Sequence, residues 1–449
     1  MTQRTMHLAI EASIWHTEGR WRLPGTYDRH RYFVEPRQWV EMAQMAEEGC
    51  LDLIFWGEGY GIASTYQAGT DAAVRWGVQW PRHDMSTMIP ILSWETSHIG
   101  FVQTLSTTFY HPFHVARFAA SMDHITGGRY GLNLINSART SDFANFGYNE
   151  LPSHADRYAR MQEFVEVAKG LWNSIEPDAI LLDQTSGVFA DPSKVHRIDH
   201  QGKYFTSAGP LPVLPSPQGR PLLVQAGGSP QGTAFAARNV DVQYSSAGDG
   251  PDAWNAMREQ RIRLDEQVRL QGRSPEDVKL IFDVAPVIAD TEDEAMALLS
   301  SMRAVVDPEA ALAYLSHNST FDLDELKDGM TFGELVNAAE TRGGSRGGPL
   351  HSLARKYGSD ERIIREVLVE EVREMIVPGG CVGTPEQVAD RLEELHVRGE
   401  GDGFALHLRP SINSSVANFV RGVVPLLQAR GVFRTSYDDS ATLRERIAR

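Results

Sequence analysis

A regular alternation of two hydrophobic periods limits what this chain can fold into more than any other feature. Short apolar runs recur eight times, at 7–11, 51–56, 98–105, 130–135, 221–226, 240–245, 278–289 and 403–408. Between them lie stretches such as 38–48, 156–172, 254–271 and 416–430, with apolar residues three and four apart. The first period belongs to strands buried on both faces, the second to helices that cover them. Eight such repeats predict an α/β fold, a (β/α)8 TIM barrel closed as a single domain over residues 1–449.

One unit shows the logic at residue level. In 122–137, MDHITGGRYGLNLINS, a helix begun near Pro112 ends at Gly127-Gly128, which supply the positive φ angles that stop a helix and turn the chain. The apolar run Tyr130 to Ile135 follows and is too short for a second helix. Asn136 and Ser137 then stand past its carboxyl end, the rim where such barrels gather their ligand groups.

The same rule collects other residues at one mouth. His16 follows the first strand, Glu58 the second, Thr104 ends the third, and the fifth runs into QAGGSPQG, where Ser229 precedes a helix starting at Pro230. A helix start after Gly227-Gly228 suits a phosphate, because its free amides carry partial positive charge. Simple capping by Ser229 explains the same residues. His154 and Tyr158, four apart on a helix, read equally as a surface pair.

Three intervals are long: 57–96, 181–218 and 291–380. Barrel insertions usually decorate the catalytic face, so all three are expected there. The last holds helical material on both sides of TRGGSRGGP, 341–349. A lid over the mouth and a plain helical connection satisfy that pattern equally.

Composition narrows the chemistry. Lys and Arg number 43 against 59 Asp and Glu, a net charge of −16, which repels nucleic acid. No apolar run is long enough for a membrane span, and the start MTQRTMHLAIEAS has no secretory h-region, so the expected compartment is the cytoplasm. Cys50 and Cys381 are too few for a disulfide framework. Neither a GxGxxG fingerprint nor a P-loop occurs, which leaves no nicotinamide domain on this chain. Gly343, Ser345 and Gly347 spell GxSxG, but without the strand that a nucleophile elbow needs before it. His111 and His114 lack further ligands at metal spacing, so no metal site is expected.

The words of the sequence add a resemblance. DHITGGRYGLNLINS is similar to LDHLSGGRxGWNxVTS, LDLIFWGE to FDxxFLAD, and SHIGFVQTLSTTFYHPFHVAR to THIGxxxTxSTxYxxPxxxAR. NFG, HADRYARMQEF, LWNSIEPDA, DHQGKYF, VQAGGSPQG, VGTPEQVADRL and DGFALHL continue the match in order. Few words can be placed between about 291 and 376. The pattern resembles the two-component flavin-dependent monooxygenases of the bacterial-luciferase-like superfamily, the group of nitrilotriacetate monooxygenase, dibenzothiophene sulfone monooxygenase and pristinamycin synthase. Glu58 departs from the family's Asp, and Leu132 from its common Trp.

The resemblance implies a flavin mononucleotide site at Glu58, Thr104, Ser137, His154, Tyr158 and Ser229, with Tyr158 and Ser229 on the phosphate and Thr104 at the isoalloxazine edge. It implies a catalytic His16 that holds or protonates a flavin C4a-(hydro)peroxide. Reduced FMN is expected from a separate NAD(P)H:flavin reductase, with O2 and a small organic molecule as substrates and a homodimer or homotetramer as the assembly. A deazaflavin (F420)-dependent oxidoreductase of the same fold, or a flavin-binding protein without catalysis, are the alternatives.

Overall fold

The computed structural model describes residues 5–13, 18–24, 35–148, 150–246, 248, 250–342, 348–409 and 412–449. Eight parallel strands close a barrel in chain order: β1 His7–Glu11, β2 Leu53–Trp56, β3 Gly100–Ser106, β4 Tyr130–Ile135, β5 Leu222–Ala226, β6 Val242–Ser246, β7 Lys279–Val284 and β8 Gly403–Leu406. β8 returns to β1 with Ile10 beside Leu406, which completes the cylinder. Helices α1 Arg37–Glu48, α2 Ile89–Trp94, α3 Pro112–Ile125, α4 His154–Trp172, α5 Pro230–Asn239, α6 Ala253–Leu270, α7 Pro385–Gly399 and α8 Ile412–Asn418 surround it.

Alternation along each strand divides the core in two. Ala9, Phe55, Val102, Val224, Tyr244 and Ala405 point inward and pack on one another, while neighbours such as Leu8, Ile54, Leu132 and Phe404 join the core under the helices. The C-terminal helix Leu443–Ala448 plugs the amino-terminal end by adding Leu443 and Ile447 to the inner cluster. Gly100 makes room for it, since a Cβ there would stand 2.6 Å from a methyl carbon of Leu443. With that end closed, the open mouth lies at the strands' carboxyl ends.

The α3–β4 turn matches its sequence. His111 accepts the amide of Phe113 as N-cap, Pro112 takes the first turn, and Gly127 and Gly128 end the helix at φ 63° and 82°. Two elements depart from expectation. The run 278–289 breaks after Val284, and Val287–Ile288 pairs with Val382–Gly383 outside the barrel, because Pro286 has no amide to donate to the ladder. The helix expected at 416–430 passes through a π-turn at Phe419–Val423 before Val424–Ala429, next to Pro425, which also lacks that donor.

The insertions do not all reach the mouth. Segments 57–96 and 291–380 leave after β2 and β7, at the carboxyl ends, and share a second apolar core in which Tyr66 and Val78 meet Leu312, Leu315 and Phe321. Segment 181–218 leaves after α4 and therefore starts at the opposite end. It builds two small hairpins and packs on α3 and α4, with Phe205 against Phe164 and Gln218 bonded to Asp123. That placement corrects the expectation that it decorates the catalytic face. The joint 343–347, with Ser345, lies outside the described residues.

Among the described residues, no helix is long and apolar enough to cross a membrane.

Candidate functional site

Two cavities open at the mouth. The first, of about 450 Å³, is lined by groups at the ends of β1 to β5 and is covered by His317, Asn318 and Thr320 from the 291–380 insertion. The second, of about 510 Å³, lies over β6 to β8 and is walled by Glu18, Arg20, Tyr314 and Arg409. Glu11 faces the first and His407 the second, so their ion pair stands between them.

The parity that makes the strand interiors apolar also brings polar groups inward in the last layer. Glu11 on β1 and His407 just past β8 are 3.1 Å apart, and the other ring nitrogen of His407 lies 3.4 Å from Asp283 on β7. Burial pushes both partners toward their neutral forms, but their mutual attraction wins. Glu11 is held at about 2, and His407 is raised to about 9, so the pair is charged at neutral pH.

Of the residues singled out in the sequence, Glu58, Thr104, Asn136, Ser137 and Tyr158 line the first cavity, and Ser229 and His154 adjoin it through Tyr158. At one end, the hydroxyl of Thr104 donates to the carbonyl of Trp56 at 2.8 Å and accepts from the amide of Asn133 at 2.9 Å. That leaves Asn133 Oδ1 buried without a partner, as is Gln225 Oε1 on the adjoining wall. Glu58 accepts weakly from the Met85 amide at 3.4 Å. Burial, and then the nearby Asp84, raise Glu58 to about 8, which keeps it a neutral acid. Ser137 is buried and its Oγ lies 2.9 Å from Ser106 Oγ.

At the other end, the Tyr158 hydroxyl faces Ser229 and Asn136. Burial raises its pKa, so it remains a phenol that can donate. Ser229 caps α5 by accepting the Gly232 amide at 3.1 Å, and the His154 ring lies 4.9 Å from that of Tyr158. The cap does not exclude an anion here, because accepting the Gly232 amide leaves the Ser229 hydroxyl proton available beside the helix amides. A Cβ at Gly232 would come within 3.1 Å of the Tyr158 hydroxyl, so glycine permits this approach.

These groups suit a flat, heteroatom-edged ring joined to a phosphate. Unpartnered amide oxygens stand at the end by Thr104, and hydroxyl donors with a helix start at the end by Tyr158. The cavity volume is in the range of small-molecule sites. His16 lies outside the described residues. Six residues of the mouth are not among the site residues expected from the sequence: Glu11, His407, Gln79, Arg82, Arg139 and His317. The first two sit at strand ends and were within reach of the same rule as Glu58. The other four depend on how loops travel.

A closed (β/α)8 barrel whose mouth gathers convergent hydroxyl, amide and carboxyl groups under a helical cover defines an enzyme that acts on small molecules. Comparison with known proteins gives the family. The model of the luciferase-like monooxygenases matches residues 13–400, and the chain belongs to that family. It is 34% identical to dibenzothiophene-sulfone monooxygenase of Rhodococcus erythropolis (strain XP), over 99% of this chain and 97% of that protein. It is 35% identical to nitrilotriacetate monooxygenase component A of Aminobacter aminovorans, over 96% and 93%. A solved structure of riboflavin lyase with modified FMN and riboflavin superposes with a TM-score of 0.87 at 31% identity, over 99% of this chain and 96% of that one. The chain is a flavin-dependent monooxygenase, the oxygenating component of a two-component system that acts on a small organic substrate.

Proposed function

We propose that this protein uses reduced FMN, delivered by a separate NAD(P)H:flavin reductase, to place one atom of O2 in its substrate while the other leaves as water. The observation that carries the cofactor reading is the pairing of unpartnered Asn133 and Gln225 oxygens with the Tyr158–Ser229 phosphate cradle in one site. The FMN-containing structure on a similar chain supports it. Bound there, reduced flavin supplies the two electrons that let O2 react with an organic molecule.

The chain's own groups then have separate tasks. Tyr158, Ser229 and His154 hold the phosphate end, while Thr104 and Ser137 shape the pocket at the ring end. Glu58, as a neutral acid, donates to a ring-edge oxygen. His16, one residue type suited to proton transfer at neutral pH, serves at the reacting atoms. The insertion residues His317 and Asn318 line the mouth and narrow its opening to water. The 449 residues act as one barrel domain, as a homodimer or homotetramer in the cytoplasm.

The relatives' names span polycarboxylates and a neutral sulfone, so they do not choose the substrate. The test supplies reduced FMN, O2 and a panel of sulfones, polyacids and haloaromatics, with product mass measured. The expected result is oxygen-dependent product with reduced FMN and none with NADH alone. Brisk NADH oxidation by the purified chain, or turnover only with F420, would contradict the proposal.

A further inference from the structure

Arg82 and Arg139 reach the first cavity from different elements, the 57–96 insertion and the loop after β4. Their guanidinium groups converge. A Cβ built on Gly59 would stand 3.0 Å from Arg139 Nη1 and 3.6 Å from Arg82 Nη1, so one spot above that glycine is shared by both cations.

Among the described residues, no carboxylate stands within ion-pair distance of either, although Asp142 attracts both from further away. Arg82 donates to the carbonyls of Gln79 and Gly57 and to the Gln79 side chain, all neutral acceptors. Arg139 makes one long bond, 3.3 Å, to the neutral Asn318 side chain. Of the acids around them, Glu11 is paired with His407, Glu58 is held protonated, and Asp142, which accepts the Tyr60 amide, attracts both guanidinium groups without touching either. The field acts on a third group, since burial followed by Arg139 and Arg82 keeps the His317 imidazole neutral. Two converging guanidinium groups in a partly buried cavity, with no described carboxylate in contact, favour an anion between them, and the planar N–H forks match an oxyanion's geometry.

We propose that Arg82 and Arg139 form an anion-binding pincer over Gly59, and that the substrate oxygenated at this mouth carries a carboxylate, sulfinate or sulfonate group. The proposal rests on the flavin reading above, which places the reacting atom in the same cavity. The pincer fixes the charged end of the substrate and leaves the rest of the molecule to reach the flavin.

Binding is measured by calorimetry on the flavin-free protein at neutral pH, with benzoate, benzenesulfinate and succinate as anions and methyl phenyl sulfone as a neutral molecule of similar size. The expected result is that at least one anion binds about tenfold more tightly than the sulfone. Arg139→Gln abolishes that preference and Arg139→Lys keeps part of it. Gly59→Ala, which puts a methyl group on the shared spot, weakens the anion about fivefold or more. Equal affinities, no saturable binding of any anion, or a preference that survives Arg139→Gln would overturn the proposal.

Anaerobic titration with reduced FMN separates a second source of negative charge, the flavin itself. Arg139→Gln is expected to change reduced-FMN affinity by less than about threefold. A far larger loss there, with anion preference intact, would assign the two arginines to the flavin and overturn the substrate assignment. If the wild type binds no FMN, the flavin reading fails, while the organic-anion titrations still decide whether the pincer exists.

Discussion

Glu11 and His407 face each other 3.1 Å apart across the seam where β8 closes on β1. They form a buried ion pair between the two halves of the mouth. His407 is raised from 6.5 to about 9, so its share of the stability is complete below about pH 6.5 and is lost as pH rises through about 9. Glu11 is lowered from 4.5 to about 2, so its share is complete above about pH 4.5 and is lost as pH falls through about 2. The pair contributes most between those limits. Glu11→Gln is expected to destabilise the protein by about 3–5 kcal/mol near pH 6, with the difference shrinking above pH 9. Urea unfolding across pH measures it, and a pH-independent difference would contradict the pairing.

Glu58 offers a test with the opposite sign. Its pKa is raised to about 8 by burial and Asp84, so it is a hydrogen-bond donor below that pH and an anion above it. FMN affinity in the wild type is expected to fall as pH rises through about 8, whereas Glu58→Gln, a permanent neutral donor, removes the step. Fluorescence titration of FMN at several pH values distinguishes the two profiles. A wild-type affinity that is flat from pH 6 to about 9 would show that Glu58 does not touch the ring.

The phosphate cradle separates affinity from stability. Tyr158→Phe deletes only a hydroxyl that faces Ser229 and Asn136, and is expected to weaken FMN about fivefold to tenfold while leaving Tm nearly unchanged. Ser229→Ala also removes the α5 cap, so it costs roughly 1 kcal/mol of stability in addition to affinity. Paired melting and binding curves check both; unchanged FMN affinity in Tyr158→Phe would move the phosphate elsewhere.

The barrel was legible because period alone separates strand from helix, and seven of the eight apolar runs end close to where their strands do, 278–289 being the exception. The rim followed from the same rule, which is why Glu58, Thr104 and Ser137 were named and found lining one cavity. Glu11 and His407 were readable by that rule as well, as polar residues closing HLAIE and FALHL. Their pairing was not, because it exists only once the last strand lies beside the first. Arg82, Arg139 and His317 were invisible for a different reason. Arg82 and His317 sit in insertions whose paths are fixed by a shared core of Tyr66, Val78, Leu312 and Phe321, residues from two segments far apart in sequence, and Arg139 sits in the loop after β4. The local breaks at Pro286 and near Pro425 show a smaller limit: hydrophobic period continues through a proline, but the hydrogen-bond ladder does not.

The most direct measurement is a crystal structure of the protein soaked with FMN under anaerobic, reducing conditions. The expected map shows the phosphate against Tyr158, Ser229 and the first amides of α5, with the ring edge beside Thr104, Asn133 and Glu58. A flavin bound outside this cavity, or density for the phosphate at the opposite end near Arg82 and Arg139, would contradict the assignment.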